Sequence, residues 1–172
     1  MGRKTVVSPA PHDAPGQRAE VEPREVDHLF GSGIIVAVGA VVRNDSGEVL
    51  LVRHVPDRRG YWRGRWICPG GRLTRGESIL SGAIREVLEE TGLAIRPVRQ
   101  LQPFERIVTV DAVTRLHVIY IDYLADVVGG TLTPASDIGE AIWVREDDLG
   151  GIWADCHEDT QRLLRLAGFQ PT

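Results

Sequence analysis

The unbroken apolar run at residues 34–42, Ile-Ile-Val-Ala-Val-Gly-Ala-Val-Val, does most to limit what this chain can fold into. Its nine residues fall well short of the ~20 needed to cross a bilayer. Without polar alternation, it reads as a strand buried in the sheet. The turn residues Asn44, Asp45, Ser46 and Gly47 follow, and 48–54 is the expected antiparallel partner, so a β-hairpin opens the domain.

Downstream, residues 66–68 read as a short strand leading into Pro69-Gly70-Gly71, and 78–91 as a helix closed by Gly92 in a left-handed cap, with Leu93 packing back on the last turn. Two long strands are expected over 103–110 and 115–125, joined by a turn near Asp111. A polar loop then runs to Glu140, followed by a short strand at 141–144 and a second helix over 156–166. Strands with two separated helices give an α/β protein, a mixed β-sheet between helical layers.

The 172 residues suit one domain. The first 28 hold four of the ten prolines and no Phe, Trp, Tyr, Ile or Leu, so 1–30 is expected to be a flexible or peripheral N-terminal extension and 31–172 the folded domain. A net charge of −4 argues against nucleic acid or an anionic membrane as a general partner. Cys68 and Cys156 form neither a disulfide framework nor a metal spacing, and no secretory leader pattern is present, so a cytoplasmic location is expected.

The helix over 78–91 carries the chemistry. At ~100° per residue, Ile79, Leu80, Ala83, Ile84, Val87 and Leu88 cover one arc, expected to face the core. Glu86, Glu89 and Glu90 share a separate arc, so three carboxylates converge. They repel one another, and they sit in the last turns, where the helix dipole also disfavours anions. A bound cation would compensate, and an all-oxygen donor set suits Mg²⁺ or Mn²⁺. Gly82, one turn earlier on this face, costs about 1 kcal/mol relative to alanine, which suggests room left for a phosphate chain. A solvated helix face balanced by Arg85 would carry the same acids. The preceding loop favours the metal: Gly70-Gly71 permits close approach of a ligand, and Glu77 is spaced to pair with Arg85.

Gly71, Glu77, Arg85-Glu86-Val87, Glu89-Glu90, Gly92 and Leu93 match, without gap or substitution, the signature G-x5-E-x7-R-E-U-x-E-E-x-G-U over 23 residues. On these residues the chain resembles the Nudix hydrolases, in their MutT-like and ADP-ribose pyrophosphatase-like branch, over about residues 33–149. The resemblance implies a Nudix-type α/β/α sandwich that cleaves a nucleoside diphosphate linked to another moiety, using Mg²⁺ or Mn²⁺. It implies Glu86, Glu89, Glu90 and the Gly70 carbonyl as metal ligands, with Gly71, Glu77, Arg85 and Gly92 shaping the motif.

A general base must take the attacking water's proton. In the family this chain resembles it comes from the motif, here Glu86 or Glu89, or from a later loop, where Asp137 is preferred to Glu140. Arg53, Arg65, Trp66 and Glu140 are the expected substrate contacts. Arginines 58, 59 and 63 are further phosphate candidates, and Tyr61 or Trp62 a stacking surface. ADP-ribose, nucleotide sugars and oxidised nucleoside triphosphates all remain open as the nucleotide substrate. A homodimer is frequent among similar enzymes, and a nucleotide-sensing module without turnover is the alternative.

Overall fold

The computed structural model describes residues 6–7, 33–58 and 60–171. The extension expected over 1–30 therefore lies, apart from Val6–Val7, outside the described residues, as does Arg59. The elements are β1 (Val6–Val7), β2 (Ile35–Arg43), β3 (Val49–His54), β4 (Gly70–Arg72), α1 (Ile79–Thr91), β5 (Leu93–Gln100), β6 (Phe104–Val110), β7 (Val113–Gly130), β8 (Ile138–Val144) and α2 (Glu158–Ala167). Two 3₁₀ turns, Glu146–Gly151 and Trp153–Asp155, lead into α2. No helix among the described residues is long and apolar enough to cross a membrane.

β2 is the sheet's central strand, as its apolar run requires. It runs parallel to β7, from Ile35 opposite Val118 to Arg43 opposite Asp126. The far edge of β7 carries β6 and then β5, both antiparallel. β8 pairs with β3, and β1 lies against β8.

The expected hairpin forms only at its turn. Asn44 Oδ1 accepts from the Ser46 and Glu48 amides at 3.0 and 2.9 Å, and Gly47 supplies φ 77°. Beyond the Arg43–Val49 pair, β2 and β3 separate: β3 goes to β8, and β4 takes the edge of β2 that is left. This divergence opens the sheet where β4 enters, and the candidate site is built there. Residues 66–68 form isolated bridges, Ile67 to Val52 and Trp66 to Cys156, and regular pairing starts only at Gly70.

Three other boundaries differ from the sequence reading. β5 was not expected; Pro97 interrupts its pattern and sits where its register with β7 shifts. β7 extends to Gly130, reached from β6 through Asp111 and Ala112, whose φ values of 51° and 61° make a tight two-residue reversal. β8 begins at Ile138 rather than residue 141.

The core lies on both faces of the sheet. Val41, Leu51, Val118 and Leu164 belong to the face covered by α2, and Ala40, Leu50, Val52 and Val87 to the face covered by α1. The predicted core arc of α1 is only partly right. Gly82, Ala83 and Val87 are buried, together with Glu90 and Thr91, whereas Ile79, Leu80 and Leu88 are exposed by 36, 43 and 50%. The helix is rolled toward its acidic side because Gly82 lets it sit close to the sheet. A Cβ at Gly82 would stand 2.9 Å from Leu73 Cδ1 and 3.0 Å from Val38 Cγ2. Gly82 thus serves close packing within the protein, and the space expected there for a phosphate chain does not exist.

Gly39 is tighter still: an added Cβ would lie 2.5 Å from the Pro69 carbonyl oxygen and 2.9 Å from Gly70 Cα, both backbone atoms. Gly39→Ala should therefore destabilise the fold by about 2–3 kcal/mol, read from urea unfolding. A midpoint unchanged from the parent would show that β4 is free to move away.

Candidate active site

The acidic face of α1 is held in place by caps at both helix ends. Ser78 Oγ accepts from the Ser81 amide at 3.1 Å, and Gly92, at φ 71°, returns its N–H to Leu88 O. The Gly92 cap is the one expected, whereas Ser78, read from the sequence as the first helical residue, is the N-cap. β4 then approaches the last two turns of the helix. The Gly70 amide donates to Glu90 Oε2 at 2.9 Å, and a Cβ on Gly71 would stand 2.4 Å from Glu86 Oε2. The paired glycines are the condition for carboxylates and strand backbone to come this close.

Arg85 organises the rest of the motif. Its guanidinium donates to Glu77 at 2.8 and 2.9 Å, to Glu86 Oε1 at 2.7 Å and to Glu89 Oε2 at 3.0 Å. It also reaches the Arg72 carbonyl at 3.3 Å, tying loop to helix. Hydrogen bonds from Arg85 hold the Glu77 carboxyl below its ordinary range, and the same bonds, accepted by Glu77, push Arg85 up.

Glu90 is different. It is 5% exposed, and burial, reinforced by Glu86 and Glu89, pushes its carboxyl up to about 8 despite the Gly70 hydrogen bond. A cation brought to such a group would stabilise its anion. The donor set therefore fits a hard divalent ion: Glu86 and Glu90 line a common cleft, all donors are oxygens, and the buried charge has no sufficient counter-ion. The fit lies in the donor chemistry rather than in preset geometry. Among the described residues no three acidic, His or Cys side chains already stand grouped to hold a metal. Glu89 is turned onto Arg85 with its side chain 54% exposed.

The cleft has a volume of about 250 Å³ and runs from Glu86, Glu90 and Gly70 past a polar mouth to a wall formed by Trp62, Tyr120 and Asp122. His54, Arg58 and Asp137 make the mouth. The Asp137 carboxylate accepts from the Arg58 guanidinium, which also lies 2.7 Å from His54 Nδ1. Burial, helped by Arg58, lowers His54 to about 4, so the ring is neutral at pH 7. Burial also lowers Arg58, against the pull of Glu90 and Glu86. Ser136, at φ 61°, turns the chain so that Asp137 meets the cleft, and the Asp137 carbonyl accepts from Val55 N at 2.9 Å.

The four expected substrate contacts are placed elsewhere, and none lines the cleft. Arg53 and Glu140 face each other across β3 and β8, joined at 2.6 Å, and the Arg53 guanidinium lies 4.6 Å from the centre of the Trp66 ring. Side-chain alternation sends Arg53 to the face of β3 opposite His54, where it is held over Trp66 and against Glu140 instead of turning into the cleft. Arg65 donates to the Ala154 carbonyl at 3.1 Å, holding the 3₁₀ turns. His117 pairs with Glu105 at 3.0 Å across β6 and β7, a role within the sheet. The sequence reading missed His54, Tyr120 and Asp122. For Asp122 a signal existed, a lone carboxyl in the apolar strand Val-Ile-Tyr-Ile-Asp-Tyr-Leu.

A family model described as the NUDIX domain matches residues 33–165. An ADP-ribose pyrophosphatase of Methanocaldococcus jannaschii is 32% identical over 106 residues, covering 62% of this chain and 59% of that protein. The match thus spans less than two thirds of that relative's own length. A solved MutT protein from Methanosarcina mazei superposes with a TM-score of 0.64 at 26% identity, covering 80% of this chain and 95% of the other. A bifunctional NMN adenylyltransferase/ADP ribose pyrophosphatase from Francisella tularensis, solved with AMP and a manganese ion, shares the fold with a TM-score of 0.67 at 20% identity, over 84% of this chain and 45% of the other.

Proposed function

Since this chain belongs to the NUDIX domain family, we propose that it is a divalent-metal-dependent hydrolase that cleaves the pyrophosphate linkage of a nucleoside diphosphate derivative. The observation that carries this is Glu90, a buried carboxyl beside Glu86 in an open cleft, whose charge the protein leaves without a sufficient counter-ion.

Glu86, Glu90 and the Gly70 carbonyl would hold Mg²⁺ or Mn²⁺, with Glu89 joining them by leaving Arg85. An ion held there supplies neutralisation of pyrophosphate charge and a lowered pKa for the attacking water. Arg85 holds Glu86 while its pairing with Glu77 keeps the loop and β4 against the helix. Arg58, at the mouth facing Glu86 and Glu90, offers its guanidinium to phosphate oxygens. Asp137, freed as Arg58 turns to the phosphates, accepts the proton of the attacking water.

The test is a panel of ADP-ribose, nucleotide sugars and oxidised nucleoside triphosphates assayed with Mg²⁺ or Mn²⁺ and read by product identity. A nucleoside monophosphate plus the phosphorylated or pyrophosphate remainder is expected, with turnover lost in EDTA. Tight binding of one nucleotide with no product would instead make the chain a sensor module and overturn the hydrolase reading.

A further inference from the structure

Asp122 lines the cleft from β7, two residues beyond Tyr120 and on the same face of the strand. It is 6% exposed, and its Oδ2 has no hydrogen-bond partner. The stronger polar groups around it are already engaged, and the nearby Cys68 thiol is only a weak donor. The Tyr120 hydroxyl donates to Asp159 Oδ2 at 2.8 Å, Trp62 Nε1 donates to the Tyr120 hydroxyl at 3.2 Å, and Arg106 Nε donates to Asp159 Oδ1 at 2.9 Å. Burial alone pushes the Asp122 carboxyl up to about 7, so at neutral pH little stands between it and its anion.

The backbone of β2 comes close to this carboxyl. Gly39 stands opposite Asp122 in the β2–β7 register, and a Cβ there would lie 2.9 Å from Asp122 Oδ1. A glycine in a central strand weakens it and marks a close approach. A buried carboxyl left unpaired weakens the fold as well. Gly39 is already required by the Pro69 carbonyl and Gly70 Cα, but the unpaired carboxyl beside it becomes intelligible if its partner is a ligand. Gly39 also pairs with Gly70 on its other side. Asp122 therefore lies two strand spacings, ~10 Å, from the strand that anchors Glu90. Phosphates held near Glu86 and Glu90 would thus leave the far part of a nucleotide, its base, at the Asp122 wall.

We propose that Asp122 is the residue that selects the base, accepting the paired N–H donors of a guanine edge. The inference rests on the nucleotide-hydrolase reading above and adds the base to it. A carboxylate only accepts hydrogen bonds. Guanine offers a ring N–H beside an amino group, two donors side by side. Adenine and cytosine set their amino group beside a ring acceptor, and uracil flanks its single donor with two carbonyls.

The test is calorimetric titration of the full chain, in Mg²⁺, with the non-hydrolysable α,β-methylene analogues of guanosine, inosine and adenosine diphosphate. The parent should bind the guanosine analogue at least about tenfold more tightly than the inosine analogue, which lacks the amino group, and than the adenosine analogue. Asp122→Asn should lose that margin and gain on the adenosine analogue, because an amide matches adenine's donor–acceptor pair. Asp122→Leu should lose the margin without such a gain. Both variants should melt no lower than the parent, the leucine variant higher.

A parent with no guanosine preference overturns the proposal, as do variants that weaken all three analogues equally or leave them unchanged. Metal-dependent hydrolysis that persists alongside any of these results leaves the hydrolase reading standing. Conversely, a guanosine margin that depends on Asp122, without hydrolysis of any nucleotide, overturns the hydrolase reading alone.

Discussion

Glu90→Gln should abolish metal-dependent turnover and, in the same protein without metal, raise the melting temperature. The two effects have one cause. Glu90 is almost fully buried against the Gly70 amide, with Glu86 and Glu89 adding to the pressure on its charge. Glutamine keeps an acceptor for Gly70 N–H and removes the charge, so fold and packing survive while an anionic ligand is lost. A fall in kcat of about a thousandfold, equivalent to about 4 kcal/mol of barrier, is the expected scale for a cation site losing its buried carboxylate.

The stability gain has a defined pH window. The folded carboxyl, at about 8, lies above its ordinary 4.5, so the native state binds the extra proton between these values. In EDTA the parent should therefore lose stability as pH rises from about 4.5 through 8, and the variant should lose less. Asp122, raised to about 7, adds a slope of the same sign to both proteins. Adding Mg²⁺ should recover the loss in the parent and not in the variant. A variant that melts lower than the parent at pH 8 in EDTA would show that Glu90 is held as a structural carboxylate.

Arg85→Ala should be nearly as damaging, by a different route. Arg85 is the shared donor to Glu77, Glu86 and Glu89, and two of these side chains are mostly buried, at 17 and 14% exposure. Its loss frees the loop that carries β4 and leaves Glu86 without its counter-ion. The expected cost is about 2–3 kcal/mol of stability, from charge-assisted hydrogen bonds in a partly buried network, and about a hundredfold in kcat, because Glu86 is no longer aimed. Arg85→Lys should recover charge but not the several simultaneous contacts, since an ammonium lacks the guanidinium's planar fork. Full recovery by lysine would mean that only net charge matters here, and would contradict the positioning role.

How much of this was legible beforehand follows from the range of each interaction. The acidic helix and its C-terminal end were readable because Gly92 and the spacing of Glu86, Glu89 and Glu90 act within one segment. The buried central strand was readable because its run is apolar throughout. The outward roll of Ile79, Leu80 and Leu88 was not, since it depends on how near Gly82 lets α1 come to Val38 and Leu73. The separation of β2 from β3 was hidden for the same reason: β4 competes for the edge of β2, and its three residues, Gly-Gly-Arg, carry no strand pattern. Assigning Arg53 and Glu140 to the cleft required the phase of β3 and β8, and a shift of one residue sends a side chain to the opposite face. Asp122 was visible as an anomaly in an apolar strand, but only the register, which sets it opposite Gly39 and two strands from Gly70, brings it to the cleft.

Calorimetric titration of Mn²⁺ into the parent protein, Glu86→Gln and Glu90→Gln, each with a non-hydrolysable nucleotide present, probes the acidic end of the cleft most directly. Saturable Mn²⁺ binding to the parent, weakened at least about tenfold in both variants while all three remain folded, is the predicted result. Equal Mn²⁺ binding in all three, or none in the parent, would contradict the assignment of these carboxylates to a cation that acts on phosphate.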